Sequence, residues 1–241
     1  MGSAAEHACY VYGIVPEDVE ADPAARGVGD PPGRIRLARH GDIAAMVSDI
    51  SSARPPREPA HLRAHRDMLD AAAAEVPVLP VPFGLVVPDT DTLIGQLLEP
   101  HHDEFAAALR ELDGHAEYVI EARLDGADGG GGAPDPDPDS VRSEILDAVA
   151  GYCAGTRVRG PSGAESGDRP GADDAAADGA ADDGAAYADG ADVAVLIPTA
   201  SEADLERTVA ELGRSWDGRV SLRLRGPLAP YDFVADLTTP A

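Results

Sequence analysis

Lysine is absent from this chain: all 19 basic residues are arginine, against 44 acidic ones, for a formal net charge of −25. A chain so short of cations excludes nucleic acid as the expected partner, because phosphate binding needs clustered lysine and arginine. Cysteine is nearly absent as well. Cys9 and Cys153 sit in different halves and match no metal or redox spacing, so buried thiols in a reducing cytoplasm are expected. No apolar run is long enough to span a bilayer, and residues 1–8 lack the basic start and apolar core of a signal peptide. No association with a lipid membrane is therefore expected. Catalytic patterns are missing too. The glycine run 129–132 leads into a proline–aspartate stretch rather than a helix, so it is no phosphate loop. No serine sits in a nucleophile elbow, and neither cysteine has a paired base. The acids cluster in solvated segments, where their pKa values stay ordinary. The expectation is a protein that binds rather than catalyses and that carries no cofactor.

What is present is organised around residues 76–84, Val-Pro-Val-Leu-Pro-Val-Pro-Phe-Gly. Prolines 77, 80 and 82 fix φ and remove donors, which rules out a helix and a fully paired strand. An extended, irregularly paired segment between two helices remains, the middle of an α+β domain. Before it, residues 8–15 read as a first, central strand, and 35–39 and 42–47 as a hairpin turning at His40-Gly41. Leu62, His65, Leu69, Ala72 and Val76 make one apolar stripe on a helix near 60–75. After it, 91–112 is helical with a break at Pro100, and 116–124 alternates as a half-buried strand that closes the first domain.

Residues 125–139 form a Gly/Pro/Asp linker. Residues 141–152 are a helix. Residues 172–190 contain only Ala, Asp and Gly apart from Tyr187, and cannot bury enough apolar surface to order themselves. Between Asp125 and Asp192 there are 16 acids against 4 arginines, so nearly half the net charge lies there. A strand at 192–198, a helix opening on the capping-box-like Ser201-Glu202-Ala203-Asp204 and closing at Gly213, and a strand at 219–225 follow. In the last, Val220, Leu222 and Leu224 point inward and Arg219, Ser221, Arg223 and Arg225 outward. A turn with aromatic anchors at 226–234 ends the pattern. The fold expected is α+β with two domains, 1–124 and 140–241, the second carrying a disordered acidic insert at about 160–191.

His61 and His65 lie four apart on one helical face, and His101-His102 stand beside Asp103 and Glu104. The first pair lacks the glutamate of a zinc-protease helix. Adjacent helical residues diverge by about a hundred degrees and cannot converge on one ion. A packed His65 and a solvated His101-His102 face are expected, with no metal.

Tyr10-Val-Tyr-Gly-Ile14, Ala45-Met-Val-Ser48, the helix bearing His65, Leu79-Pro-Val-Pro-Phe-Gly84, Leu97-Leu98 through Leu112-Asp-Gly114, and Gly226-Pro-Leu-Ala-Pro-Tyr-Asp-Phe-Val234 occur in order along nearly the whole chain. Together they resemble the gas vesicle protein F/L family. Leu228-Ala229 stand where that family usually has Trp-Pro. The resemblance implies a variant ferredoxin-like first domain with a smaller α/β domain behind it. It also implies an accessory or minor structural role in gas vesicle formation, in which the protein binds the hydrophobic major shell protein and other accessory proteins in the cytoplasm and at the gas vesicle. Two other readings stay open: a ferredoxin-like regulatory module binding a small metabolite, and a metal-dependent hydrolase using His61, His65, His101 and His102. Candidate partner contacts are Val78, Leu79, Phe83 and Gly84 at the irregular edge, and Arg219, Arg223 and Arg225 on the last strand.

Overall fold

The computed structural model describes residues 8–51, 57–124, 137–159 and 190–234. Most of the expected linker, and nearly all of the expected acidic insert, lie outside these residues. By contacts the chain divides into two units, Met1–Ala116 with Pro227–Ala241, and Glu117–Gly226. The expected boundary at residue 124 is therefore corrected. Strand His115–Leu124 belongs to the second sheet, and the C-terminal segment belongs to the first unit. Alternating polarity showed that a strand was there but could not show which sheet would take it.

The first unit is built on β1 (Ala8–Pro16), where every residue but Pro16 is buried. Its flanks are β3 (Ile43–Ile50), paired antiparallel with β2 (Ile35–His40), on one side, and two short strands, β4 (Leu79–Pro80) and β5 (Val86–Val87), on the other. The register of β1 on β3 shifts between Val11 and Gly13, so Tyr12 is an extra residue that bulges the strand. Helix α1 (Pro59–Ala73) starts with proline, whose missing N–H costs nothing there, and turns His65, Leu69 and Ala73 inward. These pack with Tyr10, Tyr12, Ala44 and Met46. After β5, α2 (Thr90–Leu93) is capped by Asp89, which accepts from Thr92 N at 2.7 Å, and runs into a π-helical turn, Ile94–Leu98. Pro100 ends that turn, and α3 (His102–Leu112) lies against β1, β3 and β4. Strand β5 had no sequence signal, because two valines are too few to alternate.

The second unit holds a four-stranded sheet in the order β7 (Gly155–Arg159), β8 (Gly190–Pro198), β6 (His115–Leu124), β9 (Val220–Leu228). Helix α4 (Pro138–Val149) opens at Asp137, which accepts from Ser140 N at 3.2 Å, and buries Val141, Ile145 and Val149. Helix α5 (Glu202–Ser215) runs two residues past the stop expected at Gly213. Ser201 makes no capping bond, because a short 3-10 turn, Thr199–Ser201, leads into the helix instead. The indole of Trp216 donates to Glu144 Oε2 at 2.9 Å, tying the end of α5 to α4. Strand β9 continues through Gly226-Pro227, where a turn was expected, and a one-turn helix α6 (Tyr231–Val234) follows in the first unit. No helix among the described residues is long and apolar enough to cross a membrane.

Candidate functional site

Two surfaces carry the residues that the sequence singles out, one in each unit. In the first, the irregular segment 79–87 lies along β1. Val81 N donates to Tyr12 O at 2.9 Å and Val11 N to Leu85 O at 3.0 Å, so the backbone bonds continue across the gap between β4 and β5. Side chains complete the pairing. Gly84 adopts a positive φ of 97°, which turns the chain back toward β5 and aims its N–H at Tyr10 Oη, 3.2 Å away. The Tyr10 hydroxyl in turn lies 2.9 Å from His65 Nδ1, and His65 Nε2 lies 3.1 Å from Val81 O. A carbonyl can only accept, so Nε2 carries the proton and Tyr10 donates to Nδ1. Nearby, Val28 N donates to Tyr12 Oη at 2.6 Å, and the same hydroxyl meets Ser48 Oγ at 2.9 Å.

His65 is fully buried, stacked on Tyr12 with ring centroids 5.6 Å apart and meeting Phe83 edge-on at 5.6 Å. Burial lowers its pKa to about 4, opposed by the bond to Val81, so the ring is neutral at physiological pH. Desolvation likewise pushes the Tyr10 phenol well above its usual range. His65 is thus the packed residue the apolar stripe implied. Val78 and Leu79 are buried at 1% and 0% exposure, which corrects their reading as partner contacts: their side chains fill the core. Phe83 and Gly84 are half-buried. The hydroxyls of Tyr10, Tyr12 and Ser48 were not anticipated, since a strand rich in aromatic and β-branched residues reads as apolar core.

His102 has the opposite surroundings. Its Nε2 lies 2.6 Å from Asp42 Oδ1 and its Nδ1 lies 3.0 Å from Asp103 Oδ1, and these carboxylates, Asp103 foremost, raise its pKa. Among the described residues no group of three or more His, Cys, Asp and Glu is placed to hold a metal ion. The four histidines drawn on for a hydrolase are spread over a packed core, a turn–helix ion pair and helix surface.

In the second unit, Arg219, Arg223 and Arg225 share the alternation of β9 but not one role. Arg219 folds back on the preceding turn, with Nε donating to Trp216 O at 3.2 Å. Arg225 Nη1 pairs with Glu121 Oε1 of β6 at 3.1 Å, and Arg223 is exposed. On the opposite face, Val220 is buried while Leu222 and Leu224 are only half-buried. They form the floor of an open groove of ≈770 Å³, whose other wall is the Glu202, Glu206, Ala210, Gly213 stripe of α5. Tyr118 of β6 closes its inner end; its phenol, hydrogen-bonded to Glu202, is pushed up to about 12 by burial and by that carboxylate. Gly226 has a φ of 153°, and a Cβ there would stand 2.3 Å from the Tyr118 ring, so the glycine of the Gly-Pro pair is required by this packing. The groove itself was not anticipated. Its signal was present in the four-residue steps 202, 206 and 210, which end on small residues instead of continuing the apolar face.

Comparison with known proteins falls on the whole chain. The family described as gas vesicle synthesis protein GvpL/GvpF matches residues 8–148 and 137–235. Gas vesicle protein F of a Streptomyces species is 37% identical over 118 residues, covering 48% of each chain. Gas vesicle protein L of the same species is 31% identical over 126 residues, covering 46% of each. The matched segment thus spans about half the length of these relatives. The crystal structure of the gas vesicle protein GvpF from Anabaena superposes with a TM-score of 0.73 at 18% identity, covering 95% of this chain and 96% of that one. That of GvpF from Microcystis aeruginosa gives 0.72 at 16% identity, covering 94% and 98%. At these identities the two structures establish a shared mixed α+β fold.

Proposed function

This chain belongs to the gas vesicle synthesis protein GvpL/GvpF family, and on that premise we propose that it acts in gas vesicle formation by binding the small, hydrophobic major shell protein. The observation that carries this reading is that the family match runs through both units, over residues 8–148 and 137–235, rather than through one borrowed module. A shell protein that polymerises into an apolar-lined wall is prone to premature aggregation. A strongly acidic partner with an unpaired strand edge would hold it apart until it is added to the wall. The role is one of binding, in the cytoplasm and at the growing vesicle, together with other accessory proteins of the same system. It requires no cofactor and no catalytic residue. Within it, the first unit is read as a variant ferredoxin-like domain and the second as a smaller α/β domain. Phe83, Gly84, Arg219, Arg223 and Arg225 remain the contact candidates.

The test is co-purification of the tagged full chain with the shell protein expressed beside it. The shell protein should stay soluble, elute with the chain and remain bound as salt is raised, because apolar burial is screened far less than charge pairing. A folded chain that leaves the shell protein in the insoluble fraction at every salt concentration would overturn the reading.

A further inference from the structure

We propose that the groove between α5 and β9 docks an amphipathic helix of a partner protein. That helix lies antiparallel to α5, with its aliphatic face on Leu222 and Leu224 and its basic last turn beside Glu202 and Glu206. The site does not depend on the vesicle role, and any component can supply the helix.

The floor comes first. Val220, Leu222 and Leu224 share the face of β9 that lines the groove, yet only Val220 is buried. The two leucines stay half-buried in a concave space of ≈770 Å³, made entirely of residues of the second unit. Concave apolar surface of this kind is where the aliphatic side chains of a partner settle. Gly213 keeps the α5 wall low, and a Cβ built on it meets nothing within 4 Å.

The walls select a helix. The backbone of α5 is bonded within itself, and the backbone groups of β9 point along the plane of its sheet rather than into the groove. The groove therefore offers apolar area but no ladder. An occupant must arrive with its own backbone groups paired, and a helix does. From Glu202 to Gly213 α5 rises about 16 Å, which a partner helix of about eleven residues matches.

Charge sets the direction. Glu202 and Glu206 line the groove near the start of α5, and Arg214 lines it about 12 Å further along the helix. Carboxylates four positions apart on one helix repel, and a cation set beside both relieves that repulsion. The Tyr118 phenol, pushed up to about 12, stays protonated and donates to Glu202, taking one acceptor position and leaving others for a cation. Helices favour acidic residues in the first turn and basic ones in the last, where they complement the macrodipole. An antiparallel helix of that ordinary pattern brings its basic end to Glu202 and Glu206 and its acidic end to Arg214.

The experiment titrates the full chain with a fluorescent peptide that has leucines at helical spacing, glutamates in its first turn and lysines in its last. It is run beside the same composition with the leucines in strict alternation, and beside a version with glutamate for every lysine. Anisotropy should show the first peptide binding at least about tenfold more tightly than either control. A nitroxide on its C-terminus should broaden the amide signals of Glu202 and Glu206 more than those of Gly213 and Arg214. Gly213→Leu puts a side chain into the groove and should weaken the first peptide by about tenfold without lowering the melting temperature. Glu206→Lys, at an exposed position, should weaken it by about fivefold and tighten the all-glutamate version, and serves if the first variant does not fold. Failure of the first peptide to bind, equal binding of either control, broadening strongest at Gly213 and Arg214, or indifference to both substitutions would each overturn the proposal. A dimer of the free chain that Gly213→Leu dissociates would assign the groove to a second copy and overturn it as well. The shell-protein co-purification is read separately, so either result leaves the other standing.

Discussion

The two sheets end in opposite ways. The outer side of β1 is closed by strands of two residues each, separated by residues 81–85, whose backbone groups bond inward to Val11, Tyr12 and the Tyr10 hydroxyl. The outer side of the second sheet is one unbroken strand, β9, with half-buried leucines on one face and arginines on the other. In the first unit prolines remove donors and a buried histidine takes up the carbonyl of Val81, so much of that edge is closed by its own chain. In the second, strict alternation preserves both a ladder and an apolar face. An apolar, proline-rich run thus marks a closed edge, and the less conspicuous alternating strand marks the open one.

The largest way to break the contrast is to open the closed edge from within. His65→Asp buries a carboxylate among Tyr10, Tyr12 and Phe83 and should cost about 4 kcal/mol in urea unfolding; a loss under about 1 kcal/mol would mean that the site is wet. Acid probes the same residue without mutation. The folded pKa of about 4 lies below the ordinary 6.5, so the unfolded chain takes up the proton first. Stability from the neutral ring is complete above pH 6.5 and declines as pH falls toward 4, by about 3 kcal/mol in all. The His65→Gln variant should lack that window. His102 should titrate the other way in proton NMR: its pKa lies above 6.5, and its contribution is present in acid and lost as pH rises through the raised value. Asp42→Asn should bring that titration down.

Smaller in effect, Tyr10→Phe removes one hydroxyl and leaves Gly84 N–H and His65 Nδ1 unpaired, for about 2 kcal/mol by the same unfolding measurement. Smallest of all is Gly213→Leu in the second unit, where stability should rise by about 0.5–1 kcal/mol because the new side chain enters open space and leucine is the better helix former. A large loss there would show that the groove is packed shut.

Much of this was legible in the residues. The stripe 62, 65, 69, 72, 76 placed α1 and turned His65 inward, and the alternation from 219 to 225 gave β9 its two faces. What was hidden depended on long-range pairing. Residues 116–124 carry the same alternation in whichever sheet they join. The bulge at Tyr12 comes from the register against β3, and the polar role of Tyr10 from a histidine 55 positions away. Val78 and Leu79 read as a sticky edge because an apolar extended segment looks the same whether it faces a partner or its own core. The groove escaped because it lies between a helix and a strand, which no single segment encodes.

The most direct measurement is amide hydrogen exchange across the full chain, with and without the shell protein. In the free protein, Val81 and Val11, bonded across β1, should exchange slowly. On adding the shell protein, β9 should slow markedly, and more than residues 79–87. Slowing at 79–87 with β9 unchanged would contradict the account.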